Sequence, residues 1–151
     1  MSDLEQRVRA LEDRLAIIDL VSRYGPAADS GDGDALAALW APGGSYRFDD
    51  TVLERDDLPG LVDIDTHRAF MAAGCAHVLS APRIDLAADG ERAVAVNHSI
   101  VLEHDGGTWH PARVSANRWE LVRTADGWRV ARREVRLLDG AAAARDLLRP
   151  L

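Results

Sequence analysis

Cysteine is nearly absent: Cys75 is the only one in 151 residues. No internal disulfide framework can therefore form, and nowhere do Cys and His fall at the spacing of a zinc site. A reducing, cytoplasmic setting is the expectation. Long hydrophobic runs are also missing, since none approaches the roughly 20 residues that span a bilayer. The opening Met-Ser-Asp-Leu-Glu lacks the basic-then-apolar order of a signal peptide, so no membrane association is predicted. Positive charge is in deficit, with 18 Lys and Arg against 25 Asp and Glu. That balance argues against nucleic acid as the main partner, because neutralising phosphates needs a basic face. No phosphate-cradling glycine motif or metal-ligand motif occurs, so neither a cofactor nor a metal is expected.

Apolar residues make up 47% of the chain, enough for one core without staples. One domain over residues 1–151 is predicted, with 1–10 a helical N-terminal extension and 139–151 a C-terminal helix or tail. Leu4, Val8, Leu11, Leu15 and Ile18 recur at alternating steps of four and three, a helical stripe. Ile17, Leu20, Val21 and Tyr24 continue the helix on an overlapping face, until Gly25-Pro26 imposes a kink or break. Asp34 reads as an N-cap or first-turn acid for a short helix through Leu36, Leu39 and Trp40, which Pro42-Gly43-Gly44 ends. A strand from Ser45 to Phe48, an acidic loop from Asp49 to Asp63 and a helix from Thr66 to Ala73 follow.

The second half alternates at period two. His77–Leu86, Arg92–Glu103, Ala112–Thr124 and Trp128–Leu138 read as strands joined by turns near Gly90, Gly106 and Gly127. Helices in front and a strand meander behind predict α+β, with the helices covering one face of a curved antiparallel sheet. Arg129, Arg132, Arg133 and Arg136 alternate with apolar residues and read as a mostly solvated strand face. Ala141–Leu148 is Ala-rich and reads as a terminal helix.

Four residues could carry chemistry. Alternation in the strand from Arg92 places His98 with Val94, Val96, Ile100 and Leu102 on one face, predicted to look into the curved sheet. His77 heads a strand, Asp29 precedes a Gly-rich turn, and Tyr24 lies on an apolar helical face. Each, alone, has an ordinary structural explanation.

Together they resemble the SnoaL-like family of the nuclear transport factor 2-like superfamily. The resemblance rests on Leu-Ala-Ile-Ile-Asp-Leu-Val-Ser-Arg-Tyr at 15–24, on the run from Asp29 to Tyr46, and on Leu-Val-Arg-Thr-Ala-Asp-Gly-Trp-Arg-Val-Ala-Arg-Arg at 121–133. It extends roughly from Leu11 to Leu138 and is nearest to the scytalone dehydratase, bile acid 7α-dehydratase and hexachlorocyclohexane dehydrochlorinase members. It implies a cone-shaped, cystatin-like sheet with the N-terminal helices on its concave face. It also implies that His77 is the catalytic histidine, Asp29 the carboxylate orienting it, Tyr24 a tyrosine of the dehydratases, and His98 a second histidine.

Elimination beside an activating group needs a base for a carbon-bound proton and often an acid for the leaving group. The expectation is thus a cofactor-independent lyase, a dehydratase or dehydrohalogenase, acting on a small hydrophobic ring-containing molecule. The same base would equally serve an isomerase or polyketide cyclase, and a non-catalytic binding or assembly module stays open. Trp40, Tyr46, Phe48, Phe70, Val94, Val96, Ile100, Asn117 and Trp119 are the candidate substrate-binding residues. A homodimer or homotrimer is expected.

Overall fold

Ser2 caps the first helix through its side chain, which accepts from the backbone of Glu5 while Glu5 reaches back to the Ser2 backbone. In this computed structural model, which describes residues 1–149, helix α1 then runs Asp3–Ser22. The last two residues of the expected C-terminal segment lie outside that range. Arg23 breaks the helix and α2, Tyr24–Asp29, starts afresh with Pro26 in its first turn, where a missing N–H costs nothing. The break thus falls just ahead of Gly25-Pro26, and Tyr24 opens a helix rather than closing one.

Asp32, not Asp34, caps the next helix α3, Gly33–Ala37, by accepting from Ala35 N–H at 2.8 Å; Asp34 is a first-turn acid. Trp40, expected in that helix, instead starts strand β1, Trp40–Phe48, whose pairing shifts between Trp40 and Ser45. The stretch read as a loop holds strand β2, Thr51–Glu54, and a 3-10 helix, Arg55–Asp63. Helix α4, Asp65–Ala73, leads into β3, Cys75–Leu79, and β4, Arg83–Leu86. The meander is β5, Arg92–Asp105, β6, Thr108–Thr124, and β7, Gly127–Leu137, followed by α5, Ala142–Leu147.

The seven strands form one sheet in the order β2-β1-β7-β6-β5-β3, with β4 beside β3 on the same edge of β5. All pairs are antiparallel except β1 with β7, because the chain reaches the far edge of the meander through the helices rather than a hairpin. Helices α1 to α4 lie in the concavity of this curved, unclosed sheet. Ile17, Leu36, Leu58, Trp40, Trp119 and Leu121 are almost fully buried there, each contributing about 1.5–3 kcal/mol or more in apolar burial.

A buried carboxylate fixes α1 on the sheet. Both oxygens of Asp13 accept from Arg123 at 2.7 Å, and one also accepts from the Trp128 indole at 3.0 Å. Burial pushes the Asp13 carboxyl up, but those hydrogen bonds and the Arg123 charge outweigh it and hold the group below its ordinary value.

Candidate active site

Asp29 ends α2, and its position depends on how closely that helix approaches β3. The Asp29 carboxylate holds His77 twice: Oδ1 lies 2.6 Å from ring Nδ1 and Oδ2 accepts the His77 backbone N–H at 2.9 Å. Burial alone would raise the Asp29 pKa, yet the His77 ring and backbone hydrogen bonds prevail and keep it low. An ionised carboxylate can only accept, so His77 Nδ1 carries a proton, and in the neutral form of the ring Nε2 is the nitrogen with the lone pair.

Cys75 completes a tight trio, its Sγ 3.6 Å from Asp29 Oδ1. The ligand atoms of Asp29, Cys75 and His77 all lie within 4.8 Å of one another, the one such grouping found among the described residues. Burial pushes the thiol up to about 11, helped by the Asp29 charge and hydrogen bond. A thiol held neutral, beside a carboxylate and a ring nitrogen already bonded to each other, is a poor donor set for a metal ion, which binds thiolate.

His77 opens on a pocket of about 460 Å³ between the concave face of the sheet, α4 and the 3-10 helix. Tyr24, Tyr46, Phe48, Leu61, Phe70 and Val135 supply much of its apolar wall. A second cleft of about 600 Å³ between α1, α2 and α3 holds none of these groups.

The structure brings Tyr24, Tyr46, Phe48 and Phe70 to this pocket with His77, and Asp29 directly behind it. Trp40 and Trp119 lie one layer deeper, 6.4 Å and 6.1 Å from the Tyr24 ring, and pack instead of lining. Asn117 is likewise fully buried behind the wall. His98, Val94, Val96 and Ile100 are corrections. The concave side of β5 carries Ala93, Ala95, Asn97, Ser99 and Val101, so His98 is exposed on the opposite face with only its backbone engaged, to Ser80. The inner face is crowded by aromatic rings and accommodates small side chains, while the outer face bears the β-branched ones. Apolarity therefore pointed the wrong way.

Arg133 is the second correction. Far from solvated, it is 2% exposed and lines the pocket. Its pairing shows why: Leu121 faces Val130 while Glu120 faces Arg132, so Ala131 is an extra residue that inverts the alternation. The guanidinium lies 3.8 Å from the Tyr24 ring centroid, 4.1 Å from Trp119 and 4.7 Å from Tyr46. Asn117 Oδ1 accepts from Arg133 Nε at 3.1 Å and Nη2 at 2.6 Å, and Asn117 in turn donates to Ser99 Oγ at 2.8 Å. Arg133 Nη1 is buried with no acceptor among the described residues. Burial drives the Tyr46 phenol well above its ordinary value, against the pull of the Arg133 charge.

His67, which the sequence did not single out, is a further polar group on the wall, which also carries Asp49, Thr66, Ser99, Arg113 and Ser115. Its Nε2 donates to the Ala28 carbonyl at 2.8 Å, so the neutral ring offers Nδ1 as an acceptor, 5.6 Å between centroids from His77. A signal for it exists in hindsight: a His inside the predicted helix Thr66–Ala73, one turn from Phe70.

Residues 9–134 match the family model of the SnoaL-like domain. Among solved structures, an NTF2-like protein with a cystatin-like fold from Novosphingobium aromaticivorans is 47% identical, with a TM-score of 0.94 over 98% of this chain and 96% of that one. A Novosphingobium aromaticivorans protein provisionally named a scytalone dehydratase shares 18% identity at a TM-score of 0.72, over 87% of each chain. ActVI-ORFA from Streptomyces coelicolor shares 21% at 0.71, over 84% of this chain and 98% of that one. The last two are likenesses of fold. No protein of curated function matches. Among the described residues no helix is long and apolar enough to cross a membrane.

Proposed function

The chain belongs to the SnoaL-like domain family, and from that premise we propose that it is a cofactor-independent lyase, a dehydratase or dehydrohalogenase, acting on a small hydrophobic ring-containing molecule with an activating carbonyl. The observation that carries this reading is the Asp29–His77 pair, 2.6 Å apart at the wall of a pocket that also presents a buried guanidinium.

His77 Nε2 takes the carbon-bound proton next to the carbonyl. Asp29 holds the tautomer that leaves Nε2 free and stabilises the imidazolium that forms. The electron pair of the broken C–H bond moves onto the carbonyl oxygen, for which Arg133 and Tyr24 on the pocket wall are the proposed donors. Collapse of that enolate expels hydroxide or halide from the next carbon. The His77 imidazolium, or a donor on the pocket wall, returns a proton to a departing hydroxide. The C–H bond and the C–O or C–halogen bond break, a C=C bond forms, and no oxidant or reductant is needed.

That a protein of the same fold is provisionally named a scytalone dehydratase is in keeping with an elimination. The test is a panel of cyclic β-hydroxy and β-halo ketones followed by mass spectrometry, with the unchanged chain and His77→Ala in parallel. Loss of water or hydrogen halide with the unchanged chain alone establishes the lyase. Turnover at constant mass assigns the same base to an isomerase or cyclase, and ligand binding without turnover assigns a binding module.

A further inference from the structure

Helix α1 carries an unpartnered apolar seam. Leu4, Val8, Leu11, Leu15 and Ile18 are 67%, 44%, 62%, 66% and 41% exposed. The helix meets the body through Asp13, Ile17, Leu20 and Val21, which lie on the opposite side of its circumference. Residues 1–9 are all exposed, so the first two turns project beyond the domain with their apolar residues bare.

The charges beside this seam repeat with it. Acidic Glu5, Glu12 and Asp19 each follow Leu4, Leu11 and Ile18, seven residues apart, and basic Arg7 and Arg14 each precede Val8 and Leu15, again seven apart. In heptad terms the seam is a and d, one flank (e) is wholly acidic, and the other (g) is basic at both Arg7 and Arg14. We propose that α1 is the interface for a second copy of this chain, the two α1 helices lying side by side and parallel as a short two-stranded coil.

Charge decides both the partner and the direction. In a parallel pair each g residue meets the e residue five positions further along the other helix, so Arg7 faces the partner's Glu12 and Arg14 faces the partner's Asp19, each contact occurring twice by symmetry. Antiparallel pairing would set the acidic flanks against each other and the basic flanks likewise. Among the described residues Arg7 pairs with Asp3 alone, at 3.8 Å. Arg14 gives one N–H to the Ile84 carbonyl at 2.7 Å and has four others for a partner. With the bodies on the far sides of the paired helices, neither obstructs the other.

The test is sedimentation equilibrium on the full chain and three sets of variants, all at exposed positions, with circular dichroism as the control for folding. The unchanged chain is expected to be a dimer. Leu11→Glu with Leu15→Glu should weaken association by about a hundredfold or more. Arg7→Glu and Glu12→Arg should each weaken it several-fold, and an equal mixture of the two should recover it. Val8→Cys should give a covalent dimer under mild oxidation, since a parallel pair sets identical positions side by side, whereas the unchanged chain should not. A monomer, a trimer, or a dimer indifferent to the Leu11 and Leu15 changes overturns the proposal. Failure of Val8→Cys to cross-link in a variant that still dimerises overturns the parallel direction.

Discussion

A Cβ placed on Gly25 would stand 2.3 Å from the carbonyl oxygen of His77. Helix α2 therefore rests directly on the backbone of the residue its last side chain, Asp29, must reach, and only glycine allows that contact. Gly25→Ala has to push α2 from β3, against a backbone atom that cannot rotate away. The expected destabilisation is about 1–3 kcal/mol, read as a lowered urea midpoint. Activity at a temperature where the variant remains folded should fall further than stability explains, because the displacement lengthens the Asp29–His77 bond.

Much of this arrangement was legible in the sequence, and the rest was hidden for identifiable reasons. The spacing Leu4 to Ile18 announces α1, and the turns at Gly90, Gly106 and Gly127 announce the meander, since both are short-range signals. That α2 and β3 meet is a long-range fact: Asp29 and His77 are brought together by the fold, and only the family resemblance pointed to the pair. Arg133 reads with the solvated strand face because one extra residue at Ala131 inverts strand parity. His98 misled because the concave side of β5 is built from small residues. Trp40 looked helical beside Leu36 and Leu39, yet its burial comes from β1.

Asp29→Asn tests the tautomer. The two bonds from His77 go to different carboxylate oxygens, and an asparagine keeps an oxygen at only one of those places and turns its NH2 toward the other donor. The imidazolium that forms during proton abstraction also loses its counter-charge. A drop of about 10²–10⁴ in kcat is expected, with little change in KM. Nitrogen-15 chemical shifts should place the proton on Nδ1 in the unchanged protein and on a mixture of the two nitrogens in the variant. A variant that keeps most of its kcat would remove Asp29 from the reaction.

Arg133→Met separates ligand recognition from folding. The guanidinium is buried with one amide acceptor, three aromatic faces and an unsatisfied Nη1. Replacing such a cation with an apolar side chain of similar length is often neutral or stabilising, although Asn117 loses its partner here. The melting temperature should therefore move little in either direction, while kcat/KM falls by about a hundredfold as the enolate oxygen loses its charged donor. Were stability to collapse and activity per folded molecule to persist, Arg133 would be a structural residue.

Acid should unfold the protein through two carboxylates in one pH window. Asp29 and Asp13 are both held below their ordinary values, each because hydrogen bonds outweigh the raising effect of burial. The unfolded chain, whose aspartates titrate near about 3.9, then binds more protons than the folded one around that pH. Both groups thus contribute stability that is fully present above the unfolded value and is lost as pH falls through the folded values. Urea midpoints at fixed ionic strength should be flat for these two groups between pH 7 and 5 and should drop steeply below pH 4. Asp13→Asn, which weakens the tie to Arg123 and Trp128, should begin lower by about 1–3 kcal/mol at pH 7 and show a shallower acid limb. An equally steep limb in that variant would mean that Asp13 titrates alike in the folded and unfolded chain.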